Sequence, residues 1–228
     1  MKSRNNFFKL LDASLTTAAA AALYALIIRP WHLRWGASDE ELCRHFPGDK
    51  LIPYPKLKAT HAVTIHASPA EIWPWIAQIG QGRGGFYSYD WIETLLGLNI
   101  HSSERIIPQF QNIKSGDKIP LGPGGLDFPI WMVEKEKALV LYGDTRTSKP
   151  LDPLVLTRGD FFTASWGFYL EKQPNGSTRL IERWRAEWNN AAHNTLFYNV
   201  VLEPAGFIME RKMLLGIKER AEALIHLS

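Results

Sequence analysis

The stretch VTIHASPAEIWPWIAQIG, residues 63–80, decides the fold that this sequence predicts. Val63 and Ile65 alternate with polar residues at its start, which is typical of a β-strand with one buried face. The tetrapeptide SPAE at 68–71 supplies a serine cap, a proline in the first helical position and a glutamate three residues after the cap. These signals predict a helix that stops near Gly80, so the domain opens as a strand followed by a capped helix.

Outward from this stretch, the pattern changes to a second short helix, a run of strands and one long helix. Asp90 and Gly97 bound the short helix. The strands are predicted at 117–121, 128–134, 138–142, 161–171 and 177–188. An Asn-Gly turn joins the last two strands as a hairpin, and residues 204–224 form a helix with one apolar face. Because helices and strands are segregated along the chain, we expect an α+β fold with a curved antiparallel sheet around the final helix.

The composition excludes several classes of protein. The 228 residues include 26 Lys and Arg against 23 Asp and Glu, a formal net charge of +3, and 46% are hydrophobic. This balance argues against a disordered chain and against a dedicated nucleic-acid-binding protein. The single cysteine argues against a disulfide framework or a cysteine-built zinc site. Nine Trp, eleven Phe and seven Tyr indicate a thick core or an aromatic-lined pocket.

The amino-terminal segment 1–35 is predicted to be a membrane anchor. Residues 10–28, LLDASLTTAAAAALYALII, carry one charge and are long enough to span a bilayer as a helix. Trp31 and Trp35 follow, where aromatic side chains favour the membrane interface. We therefore expect a single-pass anchor, a linker at 36–59 and a domain at 60–228. A cleaved signal peptide and a packed soluble helix are the alternatives, and the balanced flanking charge leaves the orientation open.

From about residue 58 onward the sequence resembles the START-like, or SRPBCC, superfamily, which shares the helix-grip fold with polyketide cyclases. The resemblance rests on the entry at 63–80, on the order of elements and on the terminal block EPAGFIMERKMLLGIKERAEAL at 203–224. The block GQGRGGFYSYDWIETLLGLNIHSSERI at 80–106 is similar to that of a bacterial subgroup without an assigned reaction, often membrane-anchored. The resemblance implies a cavity between sheet and terminal helix that holds a hydrophobic ligand, at the bacterial inner membrane.

Glu182 is the strongest candidate for a functional residue. In the strand 177–188, alternation places Glu182 and Trp184 on the same apolar, inward face. A carboxylate on such a face has to be paired, protonated or functional. We therefore interpret Glu182 as a polar ligand contact or a general acid/base, with a buried ion pair to an arginine such as Arg158 or Arg105 as the alternative.

Further candidates come from the loop after the first helix and from the aromatic residues. Arg83, Tyr87 and Tyr89 are predicted to form a rim that binds a polar ligand head. The alternative is a loop held by its own hydrogen bonds, with Asp90 acting only as a helix cap. The other predicted ligand-lining residues are Trp91, His101, Trp131, Trp166, Phe168 and Trp184.

The glycine and histidine patterns predict neither a nucleotide cofactor nor a metal site. Gly80, Gly82 and Gly85 match G-x-G-x-x-G, but the motif follows a helix, so we expect a backbone bend. The seven histidines are scattered, and no pair has the helical spacing of a zinc protease. We therefore expect no cofactor and no metal.

These observations predict that the protein binds or carries a small hydrophobic or amphipathic, lipid-like molecule at a membrane. The alternatives are a cyclase- or dehydratase-type enzyme that uses Glu182 as acid/base, and an envelope interaction module without a ligand. A carrier needs an apolar cavity, an enzyme needs two titratable side chains that converge in it, and an interaction module needs a filled core and an exposed apolar patch. No nucleic-acid partner is expected, and the oligomeric state is left open.

Overall fold

The architecture is an antiparallel sheet curved around a long carboxy-terminal helix. The computed structural model describes residues 16, 18–95, 97, 100–122, 126–147 and 159–225. The described strands are β1 (Leu57–Ile65), β2 (Lys118–Gly122), β3 (Leu126–Glu134), β4 (Ala138–Asp144), β5 (Phe162–Lys172) and β6 (Thr178–Trp188). They form one sheet in the order β1-β6-β5-β4-β3-β2, which joins the first strand to the last. The predicted hairpins β3–β4 and β5–β6 are confirmed.

The helices flank this sheet. They are α1 (Arg29–His32), α2 (Asp39–Cys43), α3 (Pro69–Ala77), α4 (Asp90–Leu95), α5 (Ala192–Phe197) and α6 (Glu203–Ile225). The SPAE signal works as predicted, because the Ser68 N–H donates a 2.6 Å hydrogen bond to the Glu71 carboxylate at the start of α3. A π-helical turn at Tyr198–Leu202 connects α5 to α6.

The apolar stripe of α6 faces the inner side of the sheet. Met213, Leu214, Ile217 and Ala221 are each at most 2% exposed and join the inward strand residues in one core. The predicted α+β architecture, with a curved sheet around the terminal helix, is therefore confirmed.

The outer side of the sheet is covered by residues 36–59, the stretch that the sequence suggested as a linker. Arg183 on β6 points outward and donates to the Asp49 carboxylate at 2.9 Å, and Phe46 packs on Tyr169 with ring centroids 4.5 Å apart. Arg179 donates to Glu41 at 2.7 Å. The outward arginines need partners when they are buried, and the segment 36–59 supplies them.

Helix α1 and the residues just after it pack against the beginning of α6. The chain is helical over 18–32, and Arg29 donates two 2.9 Å hydrogen bonds to Glu203. Trp31 and Trp35 were expected at a membrane interface. Trp35 instead packs on the core, with its ring 6.4 Å from Phe207, whereas Trp31 touches the same ring and stays 55% exposed.

The membrane-anchor prediction falls partly outside the described chain. Residues 1–15 and 17 are not among the described residues. Within the described part, no helix combines the length and the apolar character needed to cross a membrane.

Candidate functional site

Two adjoining cavities lie between α6 and the inner face of the sheet. The first, of about 220 Å³, is lined by Met209 and Met213 among others, and we call it the methionine cavity. The second, of about 210 Å³, is lined by His32 and His61 among others, and we call it the histidine cavity. The residues common to both walls are Leu121, Trp184, Gly206 and Glu210. The structure therefore has mostly apolar space between the sheet and α6.

Three titratable side chains meet at the boundary of these cavities. His61 on β1 and Glu182 on β6 are direct partners across the strand pair, and Glu210 reaches them from α6. His61 Nδ1 lies 3.1 Å from Glu182 Oε2 and 3.3 Å from Glu210 Oε2. One ligand atom of each residue lies within 4.8 Å of the others. We call these three residues the His61 cluster.

Hydrogen bonds from the surrounding fold orient the cluster. His61 Nε2 lies 2.9 Å from the His32 carbonyl oxygen. Because a carbonyl oxygen can only accept, Nε2 carries a hydrogen and Nδ1 is the atom presented to the two carboxylates. The Trp166 indole N–H donates to the other oxygen of Glu182, Oε1, at 2.6 Å. Both Glu182 and His61 are therefore held in fixed orientations.

The electrostatics of the cluster favour positive charge between the carboxylates. Burial lowers the pKa of His61, but the hydrogen bonds and negative charges of Glu182 and Glu210 outweigh it and raise that pKa to about 10. Burial and the charge of Glu182 raise the pKa of Glu210 to about 7, although the contact with His61 opposes the rise. Glu210 keeps 15% side-chain exposure, and it is the carboxylate that both cavities reach.

His32 adds a second imidazole to the wall of the histidine cavity. It is only 2% exposed, and its Nδ1 is buried without a hydrogen-bond partner among the described residues. Burial, together with the positive charges of His61 and Arg29, lowers the pKa of His32 to about 4. The ring is therefore neutral near pH 7.

The structure brings together four of the predicted site residues, Glu182, Trp166, Trp184 and Phe168. Glu182 is fully buried, Trp166 donates to it, and Trp184 stacks on Trp166 with ring centroids 5.2 Å apart. Phe168 packs on Trp166 at 4.8 Å and lies opposite Glu182 in the strand register. Trp166 and Trp184 line a cavity, whereas Glu182 and Phe168 are not among the residues that line either one.

The alternative partners considered for Glu182 are not those observed. Its contacts are His61 and Trp166. Arg105 is not among the side-chain partners of Glu182 within the described chain, and its backbone N–H donates to the Ser103 hydroxyl. Arg158 lies outside the described residues. The imidazole of His61, and not an arginine, is therefore the basic partner observed beside Glu182.

The loop 80–90 is held by its own hydrogen bonds, which was the alternative to a ligand-binding rim. Arg83 donates to the carbonyl oxygens of Ala77 and Ile79 at the end of α3, at 2.8 and 3.0 Å. Tyr87 is 1% exposed and donates to the Trp75 carbonyl oxygen at 3.0 Å. These polar groups are used within the fold and do not line the two cavities.

Other expectations for this region change in detail. Asp90 begins α4, and its carboxylate accepts hydrogen bonds from the backbone N–H and hydroxyl of Ser102. The backbone bend expected at the glycine motif is present, because Gly80 and Gly85 exchange hydrogen bonds of 3.0 and 3.1 Å. Phe86 and Ser88 of the same loop line the methionine cavity, and the sequence had not singled them out.

The remaining candidates lie away from the cavities. Trp91 is 67% exposed and Trp131 is 45% exposed, and His101 is also exposed. Tyr89 is half-buried. None of these four side chains is among those that line the two described cavities.

Two members of the cluster, His61 and Glu210, escaped the sequence analysis, although the sequence carries a signal for each. His61 lies two and four residues before Val63 and Ile65 in the same strand, so alternation places its side chain on the same, inward face. Glu210 lies three residues after Phe207 and four before Leu214, which places a carboxylate within the apolar stripe of α6.

Comparison with known proteins identifies no family. No family model matches the chain, and no curated protein matches it. A hypothetical protein of Helicobacter pylori is 10% identical over 78% of this chain and 95% of its own, with a TM-score of 0.43. A conserved protein of Geobacillus kaustophilus is 12% identical over 73% and 96%, with a TM-score of 0.40. CalU16 of Micromonospora echinospora is 13% identical over 75% and 87%, with a TM-score of 0.32. These similarities are too distant to bear on what this protein does.

Proposed function

We propose that the protein binds a small amphipathic molecule, lipid-like in character, between the sheet and α6. The observation that carries this proposal is a pair of apolar cavities with one carboxylate, Glu210, at their shared wall. The apolar walls suit a hydrocarbon or aromatic body, and the carboxylate suits one polar group on it. Small-molecule sites are usually pockets with mostly apolar walls and a few polar groups.

The cavity dimensions set the size of the ligand. Each cavity, at 210–220 Å³, is smaller than the range of about 300–1,000 Å³ that is usual for small-molecule pockets. A compact ligand would occupy one cavity, and a longer one would occupy both and pass Glu210.

Contact with a membrane is part of this proposal. Leu26 and Ile27 are 76% and 61% exposed on the amino-terminal helical segment, and Val200 and Val201 are 57% and 53% exposed just before α6. The two segments are neighbours, because the Tyr24 hydroxyl donates to the Asn199 carbonyl oxygen at 3.2 Å. A patch of adjacent apolar residues that is exposed to solvent is typical of a membrane or protein contact.

Flotation with vesicles tests the membrane contact. We expect the full-length protein to float with phosphatidylethanolamine–phosphatidylglycerol vesicles, and the double substitution Leu26→Glu and Val200→Glu to reduce the floating fraction severalfold. Undiminished flotation of the double variant would place the contact elsewhere in the chain.

A probe-binding experiment tests the cavity. N-phenyl-1-naphthylamine, an apolar fluorescent amine, should bind the full-length protein with a blue-shifted, enhanced emission. A Cβ at Gly206 would meet only Glu210 Oε1, at an ordinary 3.5 Å, so Gly206→Leu fills the cavities without a backbone clash and should abolish the emission change. Ala205→Leu, on the exposed side of the same helix, is the matched control and should bind as the wild type does. Equal binding by both variants would contradict the proposal.

Catalysis is the second candidate, because His61 and Glu210 converge on the same cavity. The acid/base role considered for Glu182 falls to Glu210, since Glu182 is enclosed by Trp166 and His61. Solvent extraction of purified protein followed by mass spectrometry separates the two candidates. A single retained species indicates a carrier. Two species that differ by the elements of water, reduced to one in Glu210→Gln, indicate a cyclase- or dehydratase-type reaction.

A further inference from the structure

We infer that the His61 cluster is a binding site for one divalent transition-metal ion, held by His61 Nδ1 and by carboxylate oxygens of Glu182 and Glu210. The site lies at the boundary of the two cavities. It is independent of the ligand-binding proposal, because an apolar molecule can occupy the cavities with or without an ion.

The orientation of His61 is the first argument. Its Nε2–H is committed to the His32 carbonyl oxygen, so Nδ1 faces two carboxylate oxygens at 3.1 and 3.3 Å. A neutral imidazole in this position would place three acceptor atoms against one another. A positive species therefore belongs between them, either a proton on Nδ1 or a metal ion.

The charge balance allows a divalent ion. Within the described chain, no Lys or Arg side chain forms an ion pair with Glu182 or Glu210, whose only ion-pair partner is His61. The cluster reaches zero charge either with protons on both His61 and Glu210, whose pKa is raised to about 7, or with a divalent ion. A divalent ion with a neutral imidazole and two carboxylates brings the net charge to zero.

The two distances from His61 Nδ1 to the carboxylate oxygens fit a metal. Zinc–nitrogen and zinc–oxygen bonds of about 2.0–2.2 Å place neighbouring ligand atoms about 3.0–3.5 Å apart in tetrahedral or octahedral geometry. The separations of 3.1 and 3.3 Å lie within this range. One imidazole and two carboxylates suit zinc, iron(II) or manganese(II), and three protein ligands leave a position open toward the cavities.

The surroundings have the features of a metal site beyond the ligands. Metal-bound histidines usually donate their second N–H to a carbonyl or carboxylate, and bound carboxylates are themselves hydrogen-bonded. His61 does so through the His32 carbonyl oxygen, and Glu182 accepts from Trp166. His32 supplies an independent indication, because its Nδ1 is buried without a partner among the described residues, in the wall of the histidine cavity.

Calorimetric titration of full-length, EDTA-treated protein with Zn²⁺ tests the inference. We expect one equivalent to bind. Loss of an outer hydrogen-bond partner weakens metal binding about 10–100-fold. Glu210→Gln removes a metal ligand itself and should weaken zinc binding by more than this. Trp166→Phe removes such an outer partner and should weaken binding about 10-fold with the stoichiometry unchanged. Glu222→Gln, on the same helix and paired with Lys218, is the control and should bind as the wild type does.

Cobalt(II) absorption supplies a measurement on the wild-type protein alone, in case a variant fails to fold. The visible bands should indicate nitrogen and oxygen ligands, without the charge-transfer band of a sulfur ligand. This matters because Cys43 is exposed and could bind metal adventitiously. No uptake by the folded wild type, a sulfur ligand in the spectrum, or wild-type affinity in Glu210→Gln would each overturn the inference.

Discussion

The Trp166 indole N–H donates a 2.6 Å hydrogen bond to the buried Glu182 carboxylate across the β5–β6 pair. The same ring stacks on Trp184, which lines both cavities. Trp166 thus connects the buried Glu182 carboxylate to Trp184 in the wall of the proposed ligand site.

Trp166→Phe keeps an aromatic ring but removes this hydrogen bond. Hydrogen bonds to charged groups contribute about 1.5–3 kcal/mol, so we expect the free energy of unfolding to fall by roughly that amount in urea denaturation. Trp188→Phe is the control, because the Trp188 N–H meets only the neutral Thr195 hydroxyl, at 3.4 Å. Equal losses in the two variants would mean that the Glu182 contact adds nothing beyond ring packing.

Asp49→Ala should destabilise the protein strongly. It leaves the Arg183 guanidinium, whose side chain is 1% exposed, without its carboxylate, and breaking a buried pair costs about 3–5 kcal/mol. Asp39→Ala is the matched control, since Asp39 is 87% exposed in its pair with Arg34 and such pairs contribute at most about 1 kcal/mol. Chemical denaturation of both variants measures the difference, and a small effect for Asp49 would show that segment 36–59 is not held by this pair.

Acid should loosen the cover of the outer sheet face through Glu41. Burial raises the pKa of Glu41, but the hydrogen bonds from Arg179 and Ser38 outweigh it, so the net pKa lies below the ordinary 4.5. A carboxyl with a depressed pKa stabilises the fold above pH 4.5, and this contribution is lost as the pH falls through the folded-state value.

Glu41→Gln should therefore be less stable than the wild type at pH 7, and the difference should shrink below pH 4.5. Thermal unfolding across pH 3–7 measures it. Glu171→Gln is the control, because Glu171 and its partner Arg44 are both 37% exposed, and little change is expected at any pH. A difference for Glu41→Gln that persists in acid would exclude this explanation.

Deletion of residues 1–17 and of residues 1–35 should have different effects. The shorter deletion leaves the Arg29–Glu203 pair and Trp35 in place, so the melting temperature should fall less than in the longer deletion. The longer one removes Arg29 and Trp35 and leaves the buried Glu203 carboxylate without its two hydrogen bonds, which should cost at least about 2 kcal/mol. If the longer deletion melts like the wild type, α1 does not contribute to the fold.

The sequence predicted the elements well because their signals are local. The capping box at 68–71 and the Asn-Gly turn before β6 depend on neighbouring residues. Alternation in β6 also placed Glu182 on the inward face. Such features can be predicted from the alternation of polar and apolar residues and from turn residues, and both are visible in the sequence.

The partners of these residues were harder to predict because they come from distant parts of the chain. Glu182 meets His61, which is 121 residues away. The outward arginines of β6 meet Asp49 and Glu41 from a polar, proline-bearing stretch that has no periodic pattern of its own. Composition made that stretch look like a linker, whereas the need to neutralise buried guanidinium groups explains why it folds against the sheet.

Under the proposed function, the position of Glu210 would let the protein distinguish ligands by length. A compound confined to one cavity leaves the carboxylate beside His61, whereas a compound that spans both has to run past it. Across a homologous series, affinity would then change in a step at the length that first crosses this boundary, instead of rising evenly with each added methylene.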